Sequence, residues 1–309
     1  MRVAITGGTG FIGSHVADRM IADGHTVRVL DAVRPEREDV EFAAVDICDL
    51  DGLVRELTGI DAVFHLAAMS NVDVCYEQPV QTLTTNVTGT ANVWEAARRN
   101  ELQRAVLAST VWVYNAAPGP GPLDETTPLD PSASGHLYTA SKIAAELVVQ
   151  EYHRLYGLPY TIFRYGIPYG PRMRPELVIP RFVSMALAGE TITIHGDGSQ
   201  YRAYIAVEDL ARAHAIALAP AGENQVFNLE GLEEVSVRQL AEAVLEVVGG
   251  DARVEFLEGR PGDFAGKVVS AAKARDVLGW SPAITFSEGL RRYVDWHLHD
   301  QARHRAGGA

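Results

Sequence analysis

Tyr138 and Lys142, in the stretch Tyr138-Thr139-Ala140-Ser141-Lys142, have the types and the spacing to exchange protons. At i and i+4 of a helix they share one face, a turn apart. An ammonium beside a phenol favours the phenolate and lowers a tyrosine pKa from about 10. A phenol so moved can take a proton and return it within one turnover. The same spacing describes many ordinary surface neighbours, so its meaning depends on what the chain places around it.

The surrounding elements are those of an α/β protein. Residues 2–6 (RVAIT) read as a buried strand that runs into TGGTGFIG and a helix to about Ala22. Gly7, Gly10 and Gly13 allow a tight strand-to-helix turn and close approach of backbone to a pyrophosphate over the helix N-terminus. A second strand, Thr26 to Leu30, ends in Asp31, an acid placed to accept from adenosine ribose hydroxyls and to repel a 2′-phosphate. NAD is thereby favoured over NADP, although Arg34 lies close by. Strands follow at 40–45, 61–67, 104–108 and 160–164, with helices at 49–57, 76–99 (interrupted near Asn86) and 138–156. Strands alternating with helices predict a Rossmann-type, doubly wound parallel sheet. Ligands of such sheets sit beyond the carboxyl ends of the strands, where Asp46, Ala67-Ala68, Asn86 and Ser109-Thr110 fall. Asp46 also has the bland reading of a turn or cap acid.

From Gly166 the pattern changes. Residues 166–175 read as a loop, 176–188 as a helix, 191–195 as a strand and 196–198 as a turn. A helix over 207–219 and a strand over 225–229 follow, then helices over 236–248 and 286–299 around a Pro/Gly-rich segment. The expected division is a dinucleotide-binding domain over 1–165 and a smaller C-terminal α/β substrate lobe over 166–305, with 207–229 returning to pack on the first sheet.

Composition narrows the class. A chain of 309 residues, 47% hydrophobic and 22% charged, is long enough to bury a large core. Its 27 basic and 40 acidic residues leave a net charge of −13, which makes it a poor candidate for nucleic acid, whose phosphate backbone demands a basic surface. No apolar run approaches the roughly 20 residues that span a bilayer. Two cysteines without a CxxC, and an N-terminus unlike a signal peptide, point to the reducing cytoplasm and away from disulfides or zinc. His297 and His299 do not share a helix face, so no metal site is expected.

TGGTGFIG, Asp46-Ile47, His65-Leu66-Ala67-Ala68, Asn86-Val87 with Gly89-Thr90, Ser109-Thr110 and Tyr138-xxx-Lys142 occur in that order. Together with Val178-Ile179-Pro180, GDGSQYR ending at Arg202 and GRPGD from Gly259, they resemble the extended short-chain dehydrogenases/reductases of the NAD-dependent nucleotide-sugar epimerase/dehydratase group. The resemblance covers about residues 2–300. It implies that Gly7, Gly10, Phe11, Ile12 and Gly13 hold the NAD pyrophosphate, Asp31 the ribose, and Asp46 and Ile47 the adenine. Leu66, Ala67, Ala68, Asn86 and Ser109 complete the cofactor site, and Lys142 also reaches the nicotinamide ribose. It further implies Tyr138, Lys142 and Thr110 as catalytic residues, with Ser109 the adjacent alternative to Thr110. Tyr165, Arg172, Arg174, Arg202 and Arg260 fall on the substrate side, where guanidinium groups suit a diphosphate or a uronate carboxylate. Members of the group form homodimers through two helices, here those around 91–99 and 138–156.

Departures from the group's pattern select among its chemistries. The 4,6-dehydratases carry Asp-Glu just after the catalytic Ser/Thr, decarboxylases a Glu, and some 3,5-epimerases a Cys. Val111 and Trp112 stand there and supply neither acid nor base. After Arg164-Tyr165 the group shows Phe-Asn, and this chain Gly166-Ile167; Ala203 replaces the Asp that follows Arg202. The expected function is therefore an NAD-dependent nucleotide-sugar 4-epimerase. The alternatives are a dehydratase, such as a 5,6-dehydratase, that recruits an acid such as Asp73 or Glu125, a 4-reductase, and a non-catalytic NAD sensor.

Overall fold

The computed structural model describes residues 1–117, 121–250, 252–258 and 267–307. In chain order the elements are β1 (Arg2–Thr6), α1 (Phe11–Ala22), β2 (Thr26–Asp31), β3 (Glu41–Ala44), α2 (Leu50–Glu56), β4 (Ala62–His65), α3 (Val72–Glu77) and α4 (Pro79–Leu83). A π-helical turn (Thr84–Thr88) leads into α5 (Gly89–Arg99), then β5 (Arg104–Thr110), α6 (Leu137–Tyr156), β6 (Tyr160–Tyr165), β7 (Ile167–Tyr169) and α7 (Val178–Leu187). The chain continues with β8 (Ile192–His195), β9 (Tyr201–Ala206), α8 (Val207–Ala217), β10 (Gln225–Leu229), β11 (Glu234–Ser236), α9 (Val237–Val248), β12 (Val254–Leu257), α10 (Ala272–Leu278) and α11 (Phe286–Gly307).

Two compact units result, one of Met1–Tyr165, Leu210–Leu229 and Val269–Ser281, the other of Gly166–Asp209, Glu230–Val268 and Pro282–Ala309. The first is built on a seven-stranded sheet in the order β3-β2-β1-β4-β5-β6-β10, with every pairing parallel. Central strands of such a sheet are covered on both faces and read as continuous apolar runs. All seven residues of β5 are buried. Ala4, Val63, Leu107 and Ile162 of the sheet pack with Leu53 of α2, Val93, Trp94 and Ala97 of α5, and Ala145 and Val149 of α6. Trp94 is fully buried, and truncating such a side chain costs about 3–5 kcal/mol. Because the strands are parallel, Thr6, Asp31, His65, Thr110, Tyr165 and Leu229 all end them on one edge.

The second unit carries a three-stranded sheet, β11-β9-β7, and a two-stranded one, β12-β8. Tyr169, Tyr204 and Phe286 form an aromatic core in it, with ring centroids 5.2–6.1 Å apart. Ser236 caps α9 in a reciprocal capping box with Gln239.

Several elements differ from the sequence expectation. Residues 166–175 are not all loop, since Ile167–Tyr169 pair with β9. The strands β9, β11 and β12 and the helix α10 were not anticipated. The interruption expected near Asn86 is the π turn, a form that gathers at functional sites. The strand at 225–229 does join the first sheet, beside β6.

Candidate active site

The glycine turn is shaped for a close ligand. Gly7 holds φ +69°, a left-handed conformation, and a Cβ on it would lie 2.7 Å from the Ala67 amide nitrogen. A Cβ on Gly13 would lie 2.1 Å from the Gly7 carbonyl oxygen. The amides of Phe11, Ile12 and Gly13 precede the first intrahelical bond of α1, Ser14 N–H to Gly10 O at 3.0 Å, and so remain available for an anion. Asp31 sits beside this turn and accepts from Thr9 N at 3.1 Å and Val33 N at 3.3 Å. Bare backbone, unspent amides and a carboxylate one strand away fit the pyrophosphate and ribose of NAD.

The floor next to this turn is tied by a histidine to which the sequence alone gave no role. His65 Nδ1 lies 2.7 Å from Thr6 Oγ1, and Nε2 lies 3.0 Å from Thr90 Oγ1. Thr90 Oγ1–H donates to Asn86 O, so Nε2–H is the donor to Thr90 and Thr6 donates to Nδ1. Burial, with the charge of Lys142 adding, holds the imidazole neutral at a pKa of about 3. Thr6 Oγ1 also accepts from Ala67 N at 3.3 Å. Leu66, Ala67 and Ala68 are thereby fixed over the end of β4, half-buried. The Asn86 side chain is spent inside the protein, bridging the Met69 backbone and Ser141 Oγ. Asp46 is exposed and closes a turn onto Cys48 N at 2.8 Å. Ile47 packs its side chain in the core, so only its backbone is left to meet a base.

Helix α6 grips β5 through consecutive residues. Lys142 Nζ donates to Ala108 O at 2.9 Å, and the Ser109 hydroxyl donates to Glu146, one helical turn further on. Side chains alternate along a strand, so Ser109 is committed to Glu146 and Thr110 is the hydroxyl left for chemistry. Thr110 Oγ1 accepts Trp112 N–H at 3.2 Å and keeps its own proton to donate. Lys142 Nζ lies 5.9 Å from the Tyr138 ring centroid. Burial pulls Lys142 from 10.5 to about 8, and Glu146 opposes that fall. Glu146 in turn takes a two-point guanidinium contact from Arg164 at 3.0 and 2.7 Å. Burial works against the charge of Arg164, but Glu146 outweighs it and the guanidinium pKa is raised. Arg164 Nη1 donates on to Tyr114 Oη at 2.6 Å, which donates to Asn228 Oδ1 at 2.9 Å. Glu146 was legible as the next residue on the Lys142 face. Its partner on β6 was not.

The rings around Tyr138 are Trp112 and His136. Trp112 lies edge-on to both, 6.0 Å from Tyr138 and 4.8 Å from His136. His136 caps α6. The second position after Thr110, where the sequence resemblance implies a carboxylate in dehydratases, is thus filled by an indole packed on the phenol.

The substrate-side residues fall differently. Tyr165 is buried in the first unit with its hydroxyl donating to His214 Nε2 at 2.7 Å, since His214 Nδ1–H is spent on Leu210 O. Burial, with the Tyr138 phenol adding, pushes Tyr165 well above the usual tyrosine range. It reads as a core residue rather than a substrate contact. Arg172 is exposed at φ +68° and Arg174 half-buried, and Arg202 Nη1 donates to Tyr201 O at 2.7 Å, all within the second unit. Arg260 lies outside the described residues. Among the described residues no group of three or more His, Cys, Asp or Glu is placed to hold a metal ion, and no helix is long and apolar enough to cross a membrane.

Known proteins resemble this chain in sequence and in fold. The sequence model of the NAD dependent epimerase/dehydratase family matches residues 3–229. UDP-glucose 4-epimerase of Mycolicibacterium smegmatis is 35% identical over 311 residues, spanning 96% of this chain and 98% of that protein. The structure of UDP-glucose 4-epimerase from Thermotoga maritima with UDP-glucose superposes with a TM-score of 0.90 at 31% identity, over 97% of this chain and 100% of that one. A dTDP-glucose 4,6-dehydratase from Streptomyces venezuelae, with NAD bound, superposes at 0.88 and 33% identity, over 98% of each chain. With a glycine turn shaped for a dinucleotide and the Thr-Tyr-Lys set on β5 and α6, the chain belongs to the NAD-dependent epimerase/dehydratase family, whose cofactor is NAD.

Proposed function

We propose that the protein is a nucleotide-sugar 4-epimerase that works through a transient 4-keto sugar. When bound, NAD supplies the acceptor and donor for the C4 hydride. The Tyr138 phenolate takes the proton from O4, Thr110 donates to the same oxygen, and the Lys142 ammonium holds the charge that makes this possible. Return of the proton by the same phenol completes the work that epimerisation asks of the protein. The observation that carries the reading is Trp112 against Tyr138. Elimination of water needs an additional acid and base, and the two positions after Thr110 offer none. Of the acids that could come from elsewhere, Glu125 is engaged with the Asn228 backbone amide at 2.7 Å.

Arg202 and Arg260 are the proposed diphosphate ligands, and Arg172 or Arg174 the group for a sugar carboxylate. Two free cysteines, one of them buried, agree with a reducing cytoplasmic setting. The homodimer is proposed on the α5 and α6 helices and the adjacent α4, where Leu147 is 56% and Val80 78% exposed. A Leu147→Glu substitution should shift sedimentation from dimer to monomer.

The test of activity is a panel of UDP-, dTDP-, CDP- and GDP-sugars read by mass and NMR. An isobaric 4-epimer with no net change in NAD is expected. A product short of one water indicates a dehydratase, and stoichiometric NADH consumption a reductase. Tyr138→Phe should lower kcat by about 10²-fold or more. A variant with full activity would remove the mechanism.

A further inference from the structure

His136 has the geometry of more than a helix cap. Ser, Thr, Asp and Asn are the residues that cap helices best, and histidine is not among them. Here its Nδ1 accepts from Thr139 N at 3.3 Å and lies 3.0 Å from Thr139 Oγ1. A backbone N–H can only donate, so Nδ1 is unprotonated and the neutral ring carries its hydrogen on Nε2. Protonation would cost the bond from Thr139 N and put a positive charge on the positive end of α6. Burial acts in the same direction and lowers the imidazole pKa. The cap therefore holds His136 as a neutral donor.

Among the described residues that donor, Nε2–H, meets no acceptor, and the ring is half-buried. Its plane lies 32° from that of Tyr138, with centroids 6.2 Å apart. Trp112 touches both rings, so indole, imidazole and phenol make one wall. Ligand sites are typically apolar and aromatic walls with a few placed polar atoms. A sugar hydroxyl that exchanges a proton with Tyr138 must come within about 2.6–3.2 Å of its oxygen. The neighbouring oxygens of that sugar then lie along the wall to which His136 belongs.

We propose that His136 is a substrate-contacting residue whose Nε2–H donates to an oxygen of the sugar ring beside the carbon that meets Tyr138. This rests on the nucleotide-sugar reading above and adds a contact to it. No proton is transferred; the imidazole stays neutral and orients the ring.

Two substitutions separate the donor from the cap. His136→Asn keeps a capping side chain near Nδ1 and removes the donor at Nε2. His136→Gln does the reverse, since its amide reaches the Nε2 position and glutamine is a poor cap. Both are compared with the wild type by calorimetric titration of the NAD-loaded protein. The probes are UDP-glucose, UDP-glucuronate and dTDP-glucose, with UDP and dTDP as sugar-free controls. His136→Asn should bind the recognised sugar nucleotide about 10-fold more weakly, bind the sugar-free diphosphate as wild type does, and keep the wild-type Tm. His136→Gln should keep sugar-nucleotide affinity within about threefold and melt about 2 °C lower. Wild-type affinity of His136→Asn for the sugar nucleotide would overturn the contact and leave only the cap. Equal loss for sugar nucleotide and free diphosphate would overturn it too, as general disorder of the site. Failure of the wild type to bind any of the sugar nucleotides would instead bring down the nucleotide-sugar reading, and this contact with it.

Discussion

Glu146 in the middle of α6 and Glu230 just past β10 are both nearly cut off from water, at 2% and 7% exposed. Glu146, in the first unit, is saturated: the Ser109 hydroxyl and both arms of Arg164 converge on it, and Lys142 lies one turn away. Glu230, in the second unit, has an Oε2 with no hydrogen-bond partner among the described residues. Burial pushes it up to about 8, Glu234 adds to that, and the Gly231 amide works the other way. Its carboxyl fills the space beside Gly166, where a Cβ would lie 2.0 Å from Oε2. A buried carboxylate stays charged where cations and donors meet it, and otherwise keeps its proton. The first glutamate can serve as fixed charge for a catalytic lysine. The second is a proton store near neutral pH.

The largest effect should come from breaking the first arrangement. Glu146→Gln leaves the Arg164 guanidinium buried without its anion, at a cost of about 3–5 kcal/mol. Denaturant unfolding of single and double variants with Arg164→Met checks this, because removing both partners should restore much of the loss. Activity carries a second signature. Lys142 faces Tyr138 and Glu146 on its own helix, neutral His65 from β4, and Arg164 from β6 behind Glu146. Its pKa of about 8 predicts that kcat falls as pH rises through 8 and the ammonium is lost. Glu146 raises that pKa, so in Glu146→Gln the alkaline limb should move to lower pH. A limb that stays in place while stability drops would make Glu146 a packing residue only.

Next in size is the pH dependence of Glu230. Its folded pKa is raised from 4.5 to about 8, so the folded state keeps a proton that the unfolded chain releases. The stability this contributes is complete below about pH 4.5 and is lost as pH rises through 8. The loss between pH 5 and 8 is of the order of 3 kcal/mol. In Glu230→Gln this slope should vanish from melting curves taken across that range. An unchanged slope would mean that Glu230 is ionised and partnered, and the contrast with Glu146 would collapse.

Much of this was written in the sequence, because local chemistry writes there. The glycine turn, Asp31 at the end of β2 and the Tyr138–Lys142 spacing each depend on a few neighbouring residues, and each stands where it was expected. The parallel sheet followed from alternation of apolar runs and helices. Contacts between distant residues did not show. Arg164 lies eighteen positions from Glu146, and only the pairing of β5 with β6 brings its strand beside Ser109. The three-residue strands β7 and β11 are too short for an alternation to register, and Pro168 and Gly170 made the first look like loop. Tyr165 was placed toward substrate by its neighbours in sequence. Its partner His214, on α8, turns its hydroxyl into the core instead.

Gly166→Ala probes the second glutamate from the other side. The added methyl meets the Glu230 carboxyl at far less than contact distance, so the carboxyl must move or the backbone must give, at about 1–3 kcal/mol. In a Glu230→Ala background that clash is gone and the nearest remaining neighbour given for the methyl is the Ala203 carbonyl oxygen at 3.1 Å. The two substitutions should therefore couple by more than about 1 kcal/mol in a double-mutant cycle, and additive losses would show that Glu230 does not occupy that space.

Ser109→Ala should have the smallest effect and discriminates most finely. It removes one donor from Glu146 but leaves Arg164 in place, so the carboxylate remains charged and stability should fall by only about 1 kcal/mol. Lys142 then keeps its supporting anion, and the alkaline limb should not move. What Ser109 also does is pin β5 to α6 one residue before Thr110, so kcat should fall while the limb stays fixed. Glu146→Gln shifts the limb and Ser109→Ala lowers its height. If Ser109→Ala shifted the limb as well, the serine hydroxyl would be setting the charge of Glu146, and charge and position could no longer be assigned to separate residues of the same network.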